Sequence, residues 1–132
     1  MHKNKLFLLL IIVCTTIIFS CEHETYMQGK RLYATQCASC HGEQGEGLEM
    51  VIPTLAKVEY VKNNQRSFAC IIKNGLKGEI SVNGNSYNQI MEGLELSDVQ
   101  ITNIINYINH AWGNDYGEVS LPQIKTDLKN CN

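Results

Sequence analysis

Apolar residues in this 132-residue chain form one continuous block and three helical stripes. The block runs from Leu6 to Phe19 and is broken only by Thr15 and Thr16. It follows a basic start, Met1 to Lys5, and is shorter than the roughly 20 residues a spanning helix needs. This pattern predicts a targeting segment over residues 1–20. The clearest stripe comes last. Ile101, Ile104, Ile105, Ile108 and Trp112 recur at helical spacing after Ser97-Asp98-Val99-Gln100, which reads as a capping box, and Gly113 is the expected stop. A second helix is expected over Asn64 to Asn74, with Phe68, Ile71 and Ile72 inward and Gly75 ending it. A first helix is expected from Thr25 to about Gln36. It opens on the capping box Thr25 to Gln28 and carries Tyr26, Gly29 and Tyr33 on one face. A glycine on a buried face lets another helix approach closely.

Between these stripes the pattern is irregular. Gly42, Gly45, Gly47 and Pro53 break the stretch up to Tyr60. Leu76 to Leu96 holds Gly78, Gly84, Gly93 and the turn signal Asn83-Gly84. Residues 114–132 show no periodicity that predicts an element. The expectation is a small all-α domain over residues 25–113, followed by a C-terminal tail. Its long loops would cover something functional.

Composition sharpens the picture at the amino terminus. The apolar block ends Ile18-Phe19-Ser20-Cys21, and a small residue before a cysteine there resembles the lipobox of bacterial lipoproteins. The resemblance implies lipidation of Cys21 and a protein held on the outer side of a bacterial membrane, periplasmic or at the outer membrane, by its acyl chains. An uncleaved anchor, or ordinary cleavage to a free protein, are the alternatives. The linker of residues 21–24 is short, and three extended residues reach only about 10 Å. Without residues 1–20 the chain has 9 Lys and Arg against 13 Asp and Glu, a net charge of about −4. That balance argues against nucleic acid as a partner.

The chemistry lies in Cys37-Ala38-Ser39-Cys40-His41, the C-x-x-C-H pattern of c-type haem attachment. Two thiols at this spacing can add to the two vinyl groups of one haem, and the adjacent imidazole then lies under the iron. A thioredoxin-like dithiol would need a strand before the motif, and here the motif ends a helix. A zinc site would need a further pair of ligands, which the sequence does not offer. The sixth ligand could come from Met27, Met50, Met91, His23 or His110. His110 points away from the buried stripe, and His23 sits in the linker. Cys70 and Cys131 are left over. They either form a disulfide tying the tail to the second helix, or are a small buried hydrophobe and a loose thiol.

With these motifs the mature sequence resembles class I cytochrome c, in the bacterial mono-haem form. Gly29-x-x-x-Tyr33-x-x-x-Cys37 is similar to the family's first helix, which crosses the last one, and Ile104 and Tyr107 stand where the crossing partners would be. Asn74 to Gly78, Val82, Gly84, Tyr87, Met91 and Leu96-Ser97-Asp98 resemble its methionine loop, and Trp112-Gly113-Asn114 continue the likeness. The resemblance implies crossed terminal helices around one covalent haem c, with iron held by His41 and Met91. It also implies that the Pro53 carbonyl receives the imidazole N–H. Arg66, Tyr60 and Tyr87 are candidate partners for the haem propionates. A six-coordinate iron has no open position, so the implied role is electron transfer with a dehydrogenase, reductase or oxidase, with no substrate and no catalysis. The rival is a haem-based sensor whose methionine gives way to a small gas.

Overall fold

The computed structural model describes residues 26–131. The expected signal segment, Cys21 and its linker, His23 and Thr25 lie outside the described residues. The elements in order are α1 (Met27–Gln36), α2 (Ala38–His41), α3 (Glu59–Asn63), α4 (Gln65–Asn74), β1 (Gly75–Leu76), β2 (Ile80–Val82), β3 (Asn85–Tyr87), β4 (Met91–Glu92), α5 (Asp98–His110) and α6 (Leu121–Lys129). The architecture is mainly helical. Its strands form two small antiparallel ladders, β1 with β4 and β2 with β3.

Helix α5 is the spine, and the sequence explains why. Ser97 accepts from the Gln100 amide while the Gln100 side chain accepts from the Ser97 amide, so two otherwise orphaned donors are satisfied at once. Ile101, Ile104 and Ile105 are completely buried, and Ile108 nearly so. Burial of such side chains stabilises by roughly 1.5–3 kcal/mol each. The helix ends earlier than the stripe predicted. Its last residue is His110, and Trp112 already has a positive φ of 55°. Trp112 is thereby released from the helical spacing and turns onto Tyr33, with ring centroids 5.0 Å apart and edge to face. Tyr107 completes the cluster, 5.4 Å from Tyr33 and 5.5 Å from Trp112.

The crossing of α1 over α5 depends on Gly29. A Cβ there would fall onto the Asn103 carbonyl and lie 2.7 Å from the Tyr107 Cβ. Any side chain must therefore push the helices apart. Gly29→Ala is expected to cost about 2 kcal/mol, within the range for overpacked contacts, and to lower the thermal midpoint. An unchanged midpoint would show that the helices separate without penalty. The expected capping box rests on Thr25 and so lies outside the described residues, but Gln28 is seen at the crossing. Its side-chain oxygen accepts from Asn103 of α5 at 3.2 Å, and the cap position is Tyr26.

The C-terminal segment contains α6, which the sequence pattern did not predict. Ser120 caps it by accepting from the Gln123 amide, Pro122 sits in its first turn, and Ile124 is completely buried. Two buried asparagines of α5 hold the approach to it. Asn106 exchanges both hydrogen bonds with Val119, at 2.9 and 2.8 Å. The Asn109 amide donates to Gly117 at 2.9 Å and to Gln65 at 2.8 Å. Cys70 on α4 and Cys131 after α6 are joined as a disulfide, with Cα atoms 5.5 Å apart. Among the described residues no helix is long and apolar enough to cross a membrane.

Candidate functional site

The C-x-x-C-H segment folds as a single helical turn. The Cys40 and His41 amides both donate to the Cys37 carbonyl, at 3.1 and 2.9 Å. Positions i, i+3 and i+4 of a helix share a face, so Cys37, Cys40 and His41 are brought together by local geometry alone. The turn is then fastened at its exit. The Tyr33 hydroxyl donates to the Gly42 carbonyl at 2.7 Å, and the Gly47 amide donates to the His41 carbonyl at 2.8 Å. Burial pushes the Tyr33 hydroxyl well above its ordinary range, with the neighbouring Cys37 adding to the shift, so at neutral pH it stays a donor.

The His41 ring is oriented by a backbone contact. Its Nδ1 lies 3.3 Å from the Pro53 carbonyl. A carbonyl only accepts, so Nδ1 carries the proton and Nε2 keeps its lone pair. Burial lowers the His41 pKa, and the contact with Pro53 partly opposes this. The result is a neutral imidazole whose second nitrogen can ligate a metal. The loop that follows Pro53 is tied to α5 by Asn114, which is buried. The Asn114 amide donates to Leu55 at 3.0 Å and to Ile108 at 2.7 Å, while its oxygen accepts from the Lys57 amide at 2.6 Å. No sequence signal marked Asn114 for this role beyond its place in the family pattern.

Beside His41 is a cleft of about 330 Å³, lined by Cys40, His41, Ile52, Pro53, Leu76, Ile80, Tyr87, Met91 and Leu94, among others. It shares walls with a narrower space of about 60 Å³ that reaches Cys37, Phe68, Ile72, Val82, Ile104 and Ile108. Together they make a slot with apolar walls, two cysteines at one edge, and an imidazole and a thioether in its lining. Burial raises the Cys37 thiol to about 11, with Cys40 contributing, so Cys37 is a thiol at neutral pH rather than a thiolate. The combination suits a flat apolar macrocycle attached through two sulfurs. It does not suit a hydrophilic substrate or a closed zinc site.

Met91 reaches this slot through β4. Its Cα partner across the ladder is Leu76, while Glu92 pairs with Gly75. Gly75 has φ of 82°, and a Cβ there would meet the Met91 carbonyl, so the close approach of the two strands requires glycine. The Leu94 amide then donates to Ile72 at 3.0 Å, and Lys73 Nζ donates to the Leu96 carbonyl at 2.9 Å. The chain beyond Met91 is thus fastened to the end of α4. Of the described candidates for a sixth ligand, Met91 is the one that lines the cleft. Met50 is 59% exposed. Met27 begins α1. His110 stacks on Tyr26 at 4.5 Å, with Nδ1 2.9 Å from the Asn106 carbonyl.

Tyr87 lines the outer cleft and Tyr60 the inner space, whereas Arg66 does not join them. It lines a separate groove beside the disulfide, between α4 and α6. On α4, Arg66 shares that groove with Cys70. The hairpin β2–β3 was legible only as a turn. Asn83 and Gly84 both have positive φ, at 51° and 79°, as a two-residue hairpin turn requires. The ladder between β1 and β4 gave no sequence signal, since each strand has two residues.

Comparison with known proteins agrees with this geometry. The family model for cytochrome c matches residues 26–112. A cytochrome c-552 of Thermus thermophilus is 33% identical over 90 residues, covering 64% of this chain and 68% of that protein. A second cytochrome c-552, from a named strain of the same species, is also 33% identical over 90 residues, covering 64% of this chain and 60% of its own length. The family model's match ends at residue 112, before α6 and Cys131.

Proposed function

We propose, from the premise that this chain belongs to the cytochrome c family, that it shuttles single electrons through an iron held by His41 and Met91 while tethered to a membrane. The family's cofactor is a covalently attached haem c, and electron transfer is its activity. When bound, that group supplies a one-electron iron couple. The chain's own residues do the rest. Cys37 and Cys40 provide the two attachment sulfurs. The Pro53 carbonyl holds the imidazole proton and so fixes which nitrogen faces the metal. Phe68, Ile72, Ile104 and Ile108 exclude water from the inner slot. Exclusion of water keeps the environment constant between the two charge states, which is what a carrier needs.

The observation that carries the reading is that His41 and Met91 line one apolar slot whose edge holds Cys37 and Cys40. The test is the absorption spectrum of haem-loaded protein, oxidised and reduced, with and without carbon monoxide. A low-spin spectrum indifferent to carbon monoxide supports the carrier. Ready binding of the gas would favour the sensor reading instead. The redox partner in this proposal is a dehydrogenase, a reductase or a terminal oxidase.

The tether rests on the sequence Ile18-Phe19-Ser20-Cys21. Cys21→Ser is expected to move the protein from the membrane to the soluble fraction with its haem spectrum unchanged. Fractionation of cells producing the variant decides it. A variant that still pellets with membranes would point to an uncleaved anchor.

A further inference from the structure

We propose that the Cys70–Cys131 disulfide is a thiol-exchange site, open to a dithiol protein through the groove between α4 and α6, and that its reduction loosens the hold of α4 on the Met91 segment. The inference rests on the Met91 ligand reading for one of its readouts and adds a control on that ligand. The first observation is access. The groove holds about 650 Å³ and is lined by both cysteines. Each is half-buried, so the bond is not sealed in the core. Ser67, Asn74, Thr126 and Asn130 also line the groove, so a peptide segment laid across the bond finds donors and acceptors. The second observation is charge. Arg66 stands one turn before Cys70 on α4 and lines the same groove. A guanidinium there favours a thiolate over a thiol, which assists both the attacking and the departing sulfur.

The exchange balances. One thiolate of the dithiol attacks the Cys131 sulfur and forms a mixed disulfide, and Cys70 leaves as a thiolate beside Arg66. The dithiol's second sulfur then attacks its first, closing a disulfide within the reductant and releasing Cys131. Two electrons pass to the cysteine pair, and the two protons the dithiol gives up end on Cys70 and Cys131. The haem slot feels this through the residues that follow Cys70. Ile71 lines both the groove and the inner slot. The Ile72 carbonyl accepts from the Leu94 amide, and Lys73 donates to Leu96. Gly75 and Leu76 pair with Glu92 and Met91. The stretch from Cys70 to Leu76 thus has the disulfide at one end and the Met91 ladder at the other. Reduction frees the outer side of α4, while Asn106 and Asn109 still hold the approach to α6. The fold survives, and local opening of the Met91 segment becomes more frequent. The family model stops at residue 112, so Cys131 adds this control to a fold whose model does without it.

The experiment treats haem-loaded protein with dithiothreitol in the absence of denaturant. Freed thiols are capped with iodoacetamide, and the iron is then reoxidised with ferricyanide. Peptide masses are expected to show both Cys70 and Cys131 capped. Arg66→Gln should slow the capping several-fold with the absorption spectrum unchanged. Cyanide should replace Met91 on the ferric iron roughly fivefold faster in the capped protein than in the untreated one, and hydrogen exchange at the Leu94 amide should quicken by a similar factor. Cys70→Ser combined with Cys131→Ser carries no caps and should behave as the capped protein does. A bond that yields only after denaturant is added, or a capping rate indifferent to Arg66→Gln, overturns the exchange site. Cyanide and Leu94 rates that are the same with and without the bond overturn the link to Met91. Cyanide that binds at once in every form refutes Met91 as the ligand instead, and Leu94 exchange then decides the link by itself.

Discussion

Haem-loaded Met91→Ala protein is expected to bind carbon monoxide in its reduced form, while the parent protein does not. The reasoning begins with the backbone. Met91 is paired with Leu76 in a ladder that Gly75 makes close, and the hydrogen bond from the Leu94 amide to Ile72 anchors the chain beyond β4. Truncation to alanine leaves that framework in place and removes only the thioether from the slot. An open coordination position should result rather than a rearranged loop. Met91→His is the companion variant. A thioether favours the reduced iron more than an imidazole does, so histidine should lower the reduction potential. A fall on the order of 0.2 V is expected, a fraction of the roughly 0.8 V range over which axial ligands set haem potentials. Potentiometric titration measures it. Both variants keep Cys37, Cys40 and His41, so both should retain covalent haem. If Met91→Ala changes neither the potential nor gas binding, Met91 is not the ligand, and exposed Met50 becomes the residue to replace.

The second large effect is on stability. Replacing Cys70 and Cys131 together by serine is expected to lower stability by up to roughly 4 kcal/mol, because the bond closes a loop with a sequence separation of 61, for which the chain-entropy model gives a figure of that size. For a domain of this length the midpoint should fall by about 15 °C. The spectrum at room temperature should not change, since neither cysteine lines the slot. Thermal unfolding of parent and variant, with and without reductant, checks this. A variant within about 1 kcal/mol of the parent would mean that α6 is held by Asn106, Asn109 and Ile124 without help from the bond.

Several features were legible because their causes are local. The Ser97 capping box, the isoleucine stripe of α5 and the turn at Asn83-Gly84 each depend on residues within a few positions of one another. Gly29 was legible as a close-approach position, and the Asn103 carbonyl is what approaches it. The errors came where distant segments intervened. The helix α6 was missed because its nine residues bury only Ile124 and Asp127, too little apolar pattern to register. Trp112 was counted as helical because its spacing fits, but it leaves the helix to pack on Tyr33.

The sequence by itself determined the cofactor class and the frame of the fold. The C-x-x-C-H turn brings two sulfurs and an imidazole together through one turn of backbone, whatever surrounds it. The periodic stripes, likewise, need only the helix itself to declare a buried face. Tertiary structure alone decided that Trp112 leaves the helix for Tyr33, that Asn114 ties the loop after Pro53 to α5, that Asn106 and Asn109 hold the approach to α6, and that Gly75 lets β1 meet β4. Each of those joins positions far apart along the chain. Their distances depend on how closely α1 crosses α5 and β1 meets β4. Those approaches are set by packing between surfaces, which no window along the sequence contains.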